Sequence, residues 1–352
     1  MIFLDVTNAS RSHHLSGLQR VSACLRAGLG ARSEIAVCEV SWREGMWTSE
    51  GDKPLRPGPD DWLLTPEVFN ADERAGFAAW IASPGCRVAA IYFDAIPLKL
   101  PAITWPRSVA RHPGYMKQLA RFDRVLAISE ASRRELLEYW DWARAPVRAK
   151  VSVIPLGADG SGTPRVTARH ATESTPSLVM VGIVEPRKNQ ALMLDVCSRL
   201  WESGLAFDLH IVGRVNPHFG NPIAKHAVDL ARRHTGLHFN GPLDDTTVGA
   251  LHARARTALF PSRAEGNGLP VLEALWQGVP CVCSRIPALE ENAAGGGCML
   301  VAPEDREGWE RAIRSIVTDD ALLAKLREQA LSRPLPTWND TVDSVLEELG
   351  EE

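Results

Sequence analysis

The sequence predicts an α/β protein made of two parallel-sheet domains. Three observations carry this expectation. Between residues 177 and 284, apolar runs of strand length alternate with segments of helical period. A looser series of the same kind fills the first 150 residues. The length, 352 residues, is about that of two ordinary domains. Strand–helix alternation means a parallel sheet covered on both faces.

Composition narrows the function classes. An apolar content of 45% and a charged content of 23% belong to a folded, soluble chain. The net charge of −4 argues against nucleic acid as a partner of the whole chain. Met1-Ile2-Phe3-Leu4-Asp5 reads as a strand, not a signal peptide, because it lacks a basic start and an acid interrupts it. No stretch reaches the length of a membrane span. The seven cysteines are scattered, and the Cys281-x-Cys283 pair has poor zinc spacing. Reduced, buried thiols in a cytoplasmic protein are expected.

The first half reads in order as follows. Residues 2–7 are a strand, and a polar loop runs from Asn8 to His14. Leu18, Val21, Leu25 and Leu29 are spaced as a helix face. The intervening Ser16-Gly17 turn suits a phosphate, or is a plain helix cap by Ser16. Ile35–Val40 is a second strand. Residues 42–61, rich in Gly, Pro and Trp, are expected to be a loop. Arg87–Tyr92 is the next strand, and it ends in Phe93-Asp94-Ala95-Ile96-Pro97. Asp94 at that strand end either touches a ligand or caps the following turn. Residues 107–150 hold ten Lys and Arg against five acids, with Tyr139, Trp140 and Trp142 interleaved. That mixture suits an anionic membrane surface, or a solvated helical face.

Residues 157–176 carry the Gly, Ser, Thr and Pro of a linker. The second series then has strands at 177–184, 207–212, 237–239, 257–260 and 280–284, the last closing the core. Helices are expected at 190–201, 223–234, 248–254 and 270–276. A helix continues past Glu310, and Val342, Val345, Leu346 and Leu349 give a final helix an apolar face.

The stretch Leu259–Glu273, LFPSRAEGNGLPVLE, is the centre of the sequence. A buried strand ends at Pro261, a loop with Gly266-Asn267-Gly268 follows, and Pro270 stands where a helix begins. Glu265 and Glu273 flank that junction, whose free amides suit an anion. Glu265 lies at the carboxyl end of a strand, where ligands sit in open α/β sheets. Glu273 alone also reads as a favourable charge in a first helical turn. No P-loop is present, and Gly266-Asn267-Gly268 lacks the third glycine of a dinucleotide fingerprint.

Glu265, seven residues, then Glu273, within PSRAEGNGLPVLEALWQGVPCVCS, closely resembles the paired-glutamate motif of the GT4 family of retaining glycosyltransferases. Val181-Gly182-Ile183-Val184-Glu185-Pro186-Arg187-Lys188-Asn189 is similar to the family's phosphate-contacting loop. Ile154–Asp159 and Ala127–Arg133 resemble segments near the end of its N-terminal domain. The resemblance is strong over about residues 120–320 and weaker over the first hundred.

The resemblance implies a GT-B fold: two Rossmann-like domains facing a cleft, and a C-terminal helix that packs back on the first. The corresponding boundaries are 1–160 for acceptor binding, 175–335 for the nucleotide sugar and 336–352 for the crossing helix. It implies that Glu273 accepts from ribose hydroxyls and that Glu265 approaches the donor sugar. Gly266, Asn267, Gly268, Leu269, Pro270 and Val271 would face the sugar and phosphate. Gly17, Gly182 and Gly213 are assigned to the same donor. Arg187 and Lys188 would meet negative charge that grows on the diphosphate as the anomeric bond breaks; otherwise they are ordinary loop cations. Asp94 is counted with the catalytic group, although Phe93 stands where many relatives carry His.

By the same pattern no metal or cofactor is required. The donor is a nucleotide-diphosphate sugar, with GDP-mannose first and a UDP- or dTDP-sugar as the alternative. The acceptor is a saccharide or lipid-linked saccharide of cell-surface polysaccharide synthesis. The basic 107–150 region would touch the inner face of the membrane. Two other readings share the fold: a sugar-nucleotide 2-epimerase, and a nucleotide-sugar-binding subunit without activity.

Overall fold

A computed structural model describes residues 1–8, 17–70, 72–160, 164–168 and 175–350. The chain divides into two compact units, Met1–Gly157 with Pro336–Glu352, and Ala158–Leu335.

Among the described residues the first unit holds strands β1 (Ile2–Asp5), β2 (Val37–Arg43), β3 (Met46–Thr48), β4 (Pro54–Leu55), β5 (Trp62–Thr65), β6 (Arg87–Tyr92), β7 (Arg124–Ala127) and β8 (Lys150–Val153). They form one sheet in the order β4-β3-β2-β1-β5-β6-β7-β8. β2, β1, β5, β6, β7 and β8 pair in parallel in that order, while β3 and β4 are antiparallel additions at one edge. The helix Gly17–Gly30 turns Val21, Leu25 and Leu29 inward, as their spacing requires. The final helix, Trp338–Gly350, packs on it with Val342 and Val345 buried, and Arg32 pairs with Asp343. The C-terminal helix thus belongs to the first unit.

The expectation of a loop over 42–61 is overturned in part: residues 49–53 and 56–61 are irregular, but 42–43, 46–48 and 54–55 are strand. β2 continues to Arg43, and a two-residue turn at Glu44-Gly45 reverses it into β3. Both turn residues have positive φ, 49° and 85°, which is the twist a tight hairpin demands. Trp42 pairs directly with Trp47, their rings edge-to-face at 5.1 Å. The tryptophans that suggested irregular chain are core residues here. The short strand β5, Trp-Leu-Leu-Thr, was also hidden between polar turns. Residues 9–14 of the expected polar loop, and Ser16 with its cap, lie outside the described residues.

The second unit holds β9 (Ser177–Val181), β10 (Asp208–Val212), β11 (Leu237–Gly241), β12 (Thr257–Phe260), β13 (Cys281–Ser284) and β14 (Cys298–Val301). Their order, β11-β10-β9-β12-β13-β14, is fully parallel. Successive residues serve opposite faces. Leu178, Met180, Leu259 and Val282 enter one core, beneath the helices Gln190–Glu202, Asn221–Ala231 and Arg306–Thr318. Val179, Ala258, Phe260, Cys281 and Cys283 enter the other, beneath Asp245–Arg254 and Leu269–Trp276. This double burial is why the strands read as unbroken apolar runs.

β13 does not close the sheet. β14 lies outside it, and the helices Pro287–Ala293 and Asp320–Ser332 were equally unforeseen. Part of the expected linker, residues 161–163 and 169–174, lies outside the described residues. Within it, Arg165 is held against the second unit, stacked over Trp276 and donating to the carbonyls of Ala330 and Leu331.

Candidate functional site

The strand order of the second unit reverses between β9 and β12. At such a point the two outgoing loops diverge and leave a crevice at the carboxyl ends of the strands. The loop after β9 carries Gly182 to Asn189, and the loop after β12 carries Pro261 to Gly268. Arg263 N donates to the Arg187 carbonyl at 2.8 Å, which ties the two loops together.

Arg187, Lys188 and Glu265 meet at this crevice. Lys188 Nζ lies 2.6 Å from Glu265 Oε1, and Arg187 Nη1 lies 2.9 Å from Glu265 Oε2. Lys188 and Glu265 are largely buried, with side chains 14% and 11% exposed. Burial opposes ionisation of Glu265, but Lys188 and Arg187 outweigh it, and with a bond from the Ser262 hydroxyl they hold the carboxyl at about 2. Burial also lowers the Lys188 ammonium, and Glu265 partly restores it.

Arg187 is more deeply committed than Lys188. Its Nε donates to Glu185 Oε1 at 2.9 Å, and Nη1 donates to both the Ala264 carbonyl and Glu265. Glu185 is itself fixed by Asn216 Nδ2 at 2.9 Å. Lys188 spends one of its three N–H donors on Glu265. Arg187 therefore braces the loops, and Lys188 is the cation with donors to spare.

The glycines have separate structural reasons. Gly213 has φ +150°, and a Cβ there would stand 1.9 Å from the Gly182 carbonyl oxygen. That close approach lets the ends of β9 and β10 lie side by side. Gly268 has φ +89° and precedes the helix Leu269–Trp276, and a Cβ would strike Leu289 at 2.4 Å. Asn292 Nδ2 donates to the Asn267 carbonyl at 2.6 Å and fixes the Gly266-Asn267-Gly268 loop. Pro270 lies in the first turn, as its missing N–H allows. Glu273 does not: the first turn holds no acid, so the first-turn dipole account of Glu273 is corrected. It is half-buried one turn further in, beyond Val271.

The remaining expected residues lie in the first unit. Asp94 Oδ1 accepts from Ile96 N at 2.9 Å, the turn-capping alternative. Phe93 is buried, and its carbonyl accepts from the Ser132 hydroxyl at 2.6 Å. Gly17 opens its helix, and among the described residues nothing lies within 4 Å of where a Cβ would be. In the basic stretch, Arg111, Arg133 and Arg148 are paired with acids, and Trp140 is core, donating to the Met116 carbonyl at 2.7 Å. Trp142, 79% exposed, is the aromatic left at the surface. No helix of the described residues is long and apolar enough to cross a membrane.

Residues 175–319, which span this whole site, match the family described as glycosyl transferases group 1. The chain is 29% identical over 329 residues to the serotype-specific mannosyltransferase WbdA of Escherichia coli, a match covering 83% of this chain and 40% of WbdA. It is 27% identical to O-antigen chain mannosyltransferase B of Escherichia coli, over 60% of this chain and 55% of that protein. The chain thus spans 40% of the length of WbdA. The fold is that of WaaG, a glycosyltransferase involved in lipopolysaccharide biosynthesis, with a TM-score of 0.67 and 16% identity over 100% of both chains. Anabaena HepE, solved with UDP, is similar at TM-score 0.67 and 14% identity over 99% of both chains. These neighbours have the GT-B fold, as the resemblance implied.

The structure also gives roles to residues that the sequence reading had left without one of their own. Asn189 takes φ 56° before its helix and donates to the Pro303 carbonyl at 3.0 Å. An Asn just ahead of a helical run is a signal for that conformation. Glu185 and Asn216 orient Arg187, and nothing in their spacing announces it. In the first unit, Arg74 is buried between Asp5, at 2.6 Å, and Glu67, at 3.0 Å. Glu67 also accepts the Asn8 amide at 2.8 Å, and Asp5 accepts from Thr65 at 2.7 Å. An acid ending an apolar strand was the one local hint of this network at the ends of β1 and β5.

Proposed function

We propose that the chain transfers a hexose from a nucleotide-diphosphate sugar to a saccharide or lipid-linked saccharide, with retention of anomeric configuration and without a metal. The single observation that carries the reading is the Arg187–Lys188–Glu265 cluster at the strand-order reversal. The donor is GDP-mannose in this reading, which the likeness to two mannosyltransferases supports. A UDP-sugar is the second candidate, because HepE of the same fold was solved with UDP.

The chemistry follows from charge. As the bond between anomeric carbon and phosphate oxygen breaks, negative charge collects on the departing diphosphate. Lys188 meets that charge with donors not spent on Glu265, and Arg187 keeps the loop in place. The amides of Gly268 and Leu269, at the start of the helix, add to it. Glu265 stays ionised beside the sugar, where it matches positive charge developing at the anomeric carbon. Glu273 holds the ribose. Glu265 does not serve as a general acid, because a carboxyl held at about 2 is no proton donor near neutrality.

In this reading the second unit binds the donor and the first the acceptor, with Asp94 at the acceptor side. Exposed Trp142 and the basic residues around it rest on an anionic inner membrane face. The test offers the purified chain GDP-mannose, UDP-glucose and dTDP-glucose with oligosaccharide acceptors, with and without EDTA. Sugar transfer that survives EDTA supports the reading. Donor turnover in the absence of any acceptor would favour an epimerase, and complete loss with EDTA would remove the metal-free mechanism.

A further inference from the structure

A concavity of about 320 Å³ is lined wholly by residues of the first unit. One wall is the chain leaving β5, with Asn70 and Glu73. The other is the start of the helix Pro106–Leu119, with Trp105, Arg107, Arg111 and His112. His112 Nε2 lies 2.9 Å from the Asp94 carbonyl oxygen, which anchors this wall to the carboxyl end of β6. Burial lowers the basicity of His112, so the ring is neutral, donates Nε2–H to that carbonyl and keeps Nδ1 as an acceptor.

The lining is built rather than loose. Arg111 bridges the two walls, donating to Asp72 at 2.8 Å and Glu73 at 3.0 Å. Asn70 Oδ1 accepts the amides of Asp72 and Glu73 at 3.1 and 3.2 Å, which leaves its NH₂ as donor. Trp105 presents a half-exposed indole, 49%, at the rim. Of the two cations in the lining, Arg111 is already paired with Glu73 and with Asp72 just outside it, which leaves Arg107 alone. An anion would need more positive charge than that. A purely apolar ligand would leave the polar rim unsatisfied. A neutral polyol ring fits both constraints: its hydroxyls donate and accept, and its C–H face packs on the negative face of an indole. The volume is at the small end of ligand sites and suits about one ring.

We propose that this pocket binds one neutral hexose unit of the acceptor, stacked on Trp105 and hydrogen-bonded by Asn70, Glu73 and Arg107. The proposal rests on the transferase reading above and names a subsite for its second substrate.

The test uses ligand-observed NMR titration of the full chain with mannobiose, cellobiose and chitobiose, and with GDP and UDP. At least one disaccharide is expected to bind. Trp105→Ala should weaken it about tenfold and Trp105→Phe much less, since a ring restores the stacking. Arg107→Ala, at an exposed site, serves as a second variant that leaves the fold alone, and it should also weaken the disaccharide. Nucleotide binding should be unchanged in all three. The subsite is overturned if none of the three disaccharides binds, or if Trp105→Ala and Arg107→Ala bind like wild type. Nucleotide-sugar turnover by the wild-type chain is measured separately. A chain that transfers sugar but ignores these substitutions refutes the subsite alone, and a chain with no turnover refutes the transferase reading.

Discussion

Lys188→Ala is the most informative single change. It removes an ammonium that sits 2.6 Å from Glu265 in a largely buried cluster. Breaking a buried pair by deleting one partner costs about 3–5 kcal/mol. Arg187 still faces Glu265 at 2.9 Å, so the loss should fall at the low end, about 3 kcal/mol. If Lys188 also meets charge on the leaving diphosphate, turnover falls by roughly 10²–10³, which is about 2.7–4 kcal/mol of barrier. Binding of the intact donor suffers less, because the charge it meets is larger in the transition state. The double variant Lys188→Ala/Glu265→Gln separates the two effects. Removing the orphaned carboxylate should restore stability without restoring turnover. Urea unfolding and single-turnover kinetics on the three proteins read both quantities. A change in turnover below about threefold for Lys188→Ala would refute the catalytic part and leave Lys188 a structural ion. Arg187→Lys should not stand in for Arg187, because a point charge cannot serve Glu185, the Ala264 carbonyl and Glu265 at once.

Three further outcomes are expected. Glu265 is held at about 2, below its ordinary 4.5, so its folded form favours ionisation. The stability this contributes, about 3 kcal/mol, is therefore present above pH 4.5 and lost as pH falls towards 2. Unfolding of wild type and Glu265→Gln at stepped pH should show their difference shrinking across that window; a constant gap would contradict it. Gly213→Ala should cost about 2–4 kcal/mol, because the new Cβ would meet the Gly182 carbonyl at 1.9 Å. Thermal unfolding checks this, and a near-neutral result would mean that the two strand ends move apart freely. Glu273→Gln should weaken binding of the nucleoside diphosphate, since a neutral amide accepts less strongly from ribose hydroxyls. Calorimetry with GDP and UDP that finds unchanged affinity would remove Glu273 from the donor site.

The second unit was legible because its strands are buried on both faces and bounded by Gly and Pro. Leu259, Phe260 and the Pro270 junction announced a strand and a helix start without help from distant chain. The loops that bring Arg187 to Glu265 were legible only as motifs. What couples them, the bond from Arg263 N to the Arg187 carbonyl, joins residues far apart in sequence. The edge of the first sheet was misread because Gly45 and two tryptophans look like loop chemistry until Trp42 is seen to pair with Trp47. The Asp5–Arg74–Glu67 network is long-range in the same way, and no local period could reveal it. Glu273 shows the limit of boundary reading: a shift of one turn changes a dipole partner into a half-buried side chain.

The central claim is that the crevice around Lys188 and Glu265 moves a sugar from a nucleotide to a saccharide. The direct measurement incubates the full chain with GDP-mannose carrying labelled mannose and a mannose oligosaccharide, then resolves the products by mass and anomeric NMR. The account predicts an oligosaccharide one residue longer, with the donor's anomeric configuration kept, and its near-disappearance in Lys188→Ala. No lengthened product from GDP-mannose, nor from UDP- or dTDP-sugars offered in its place, would contradict it.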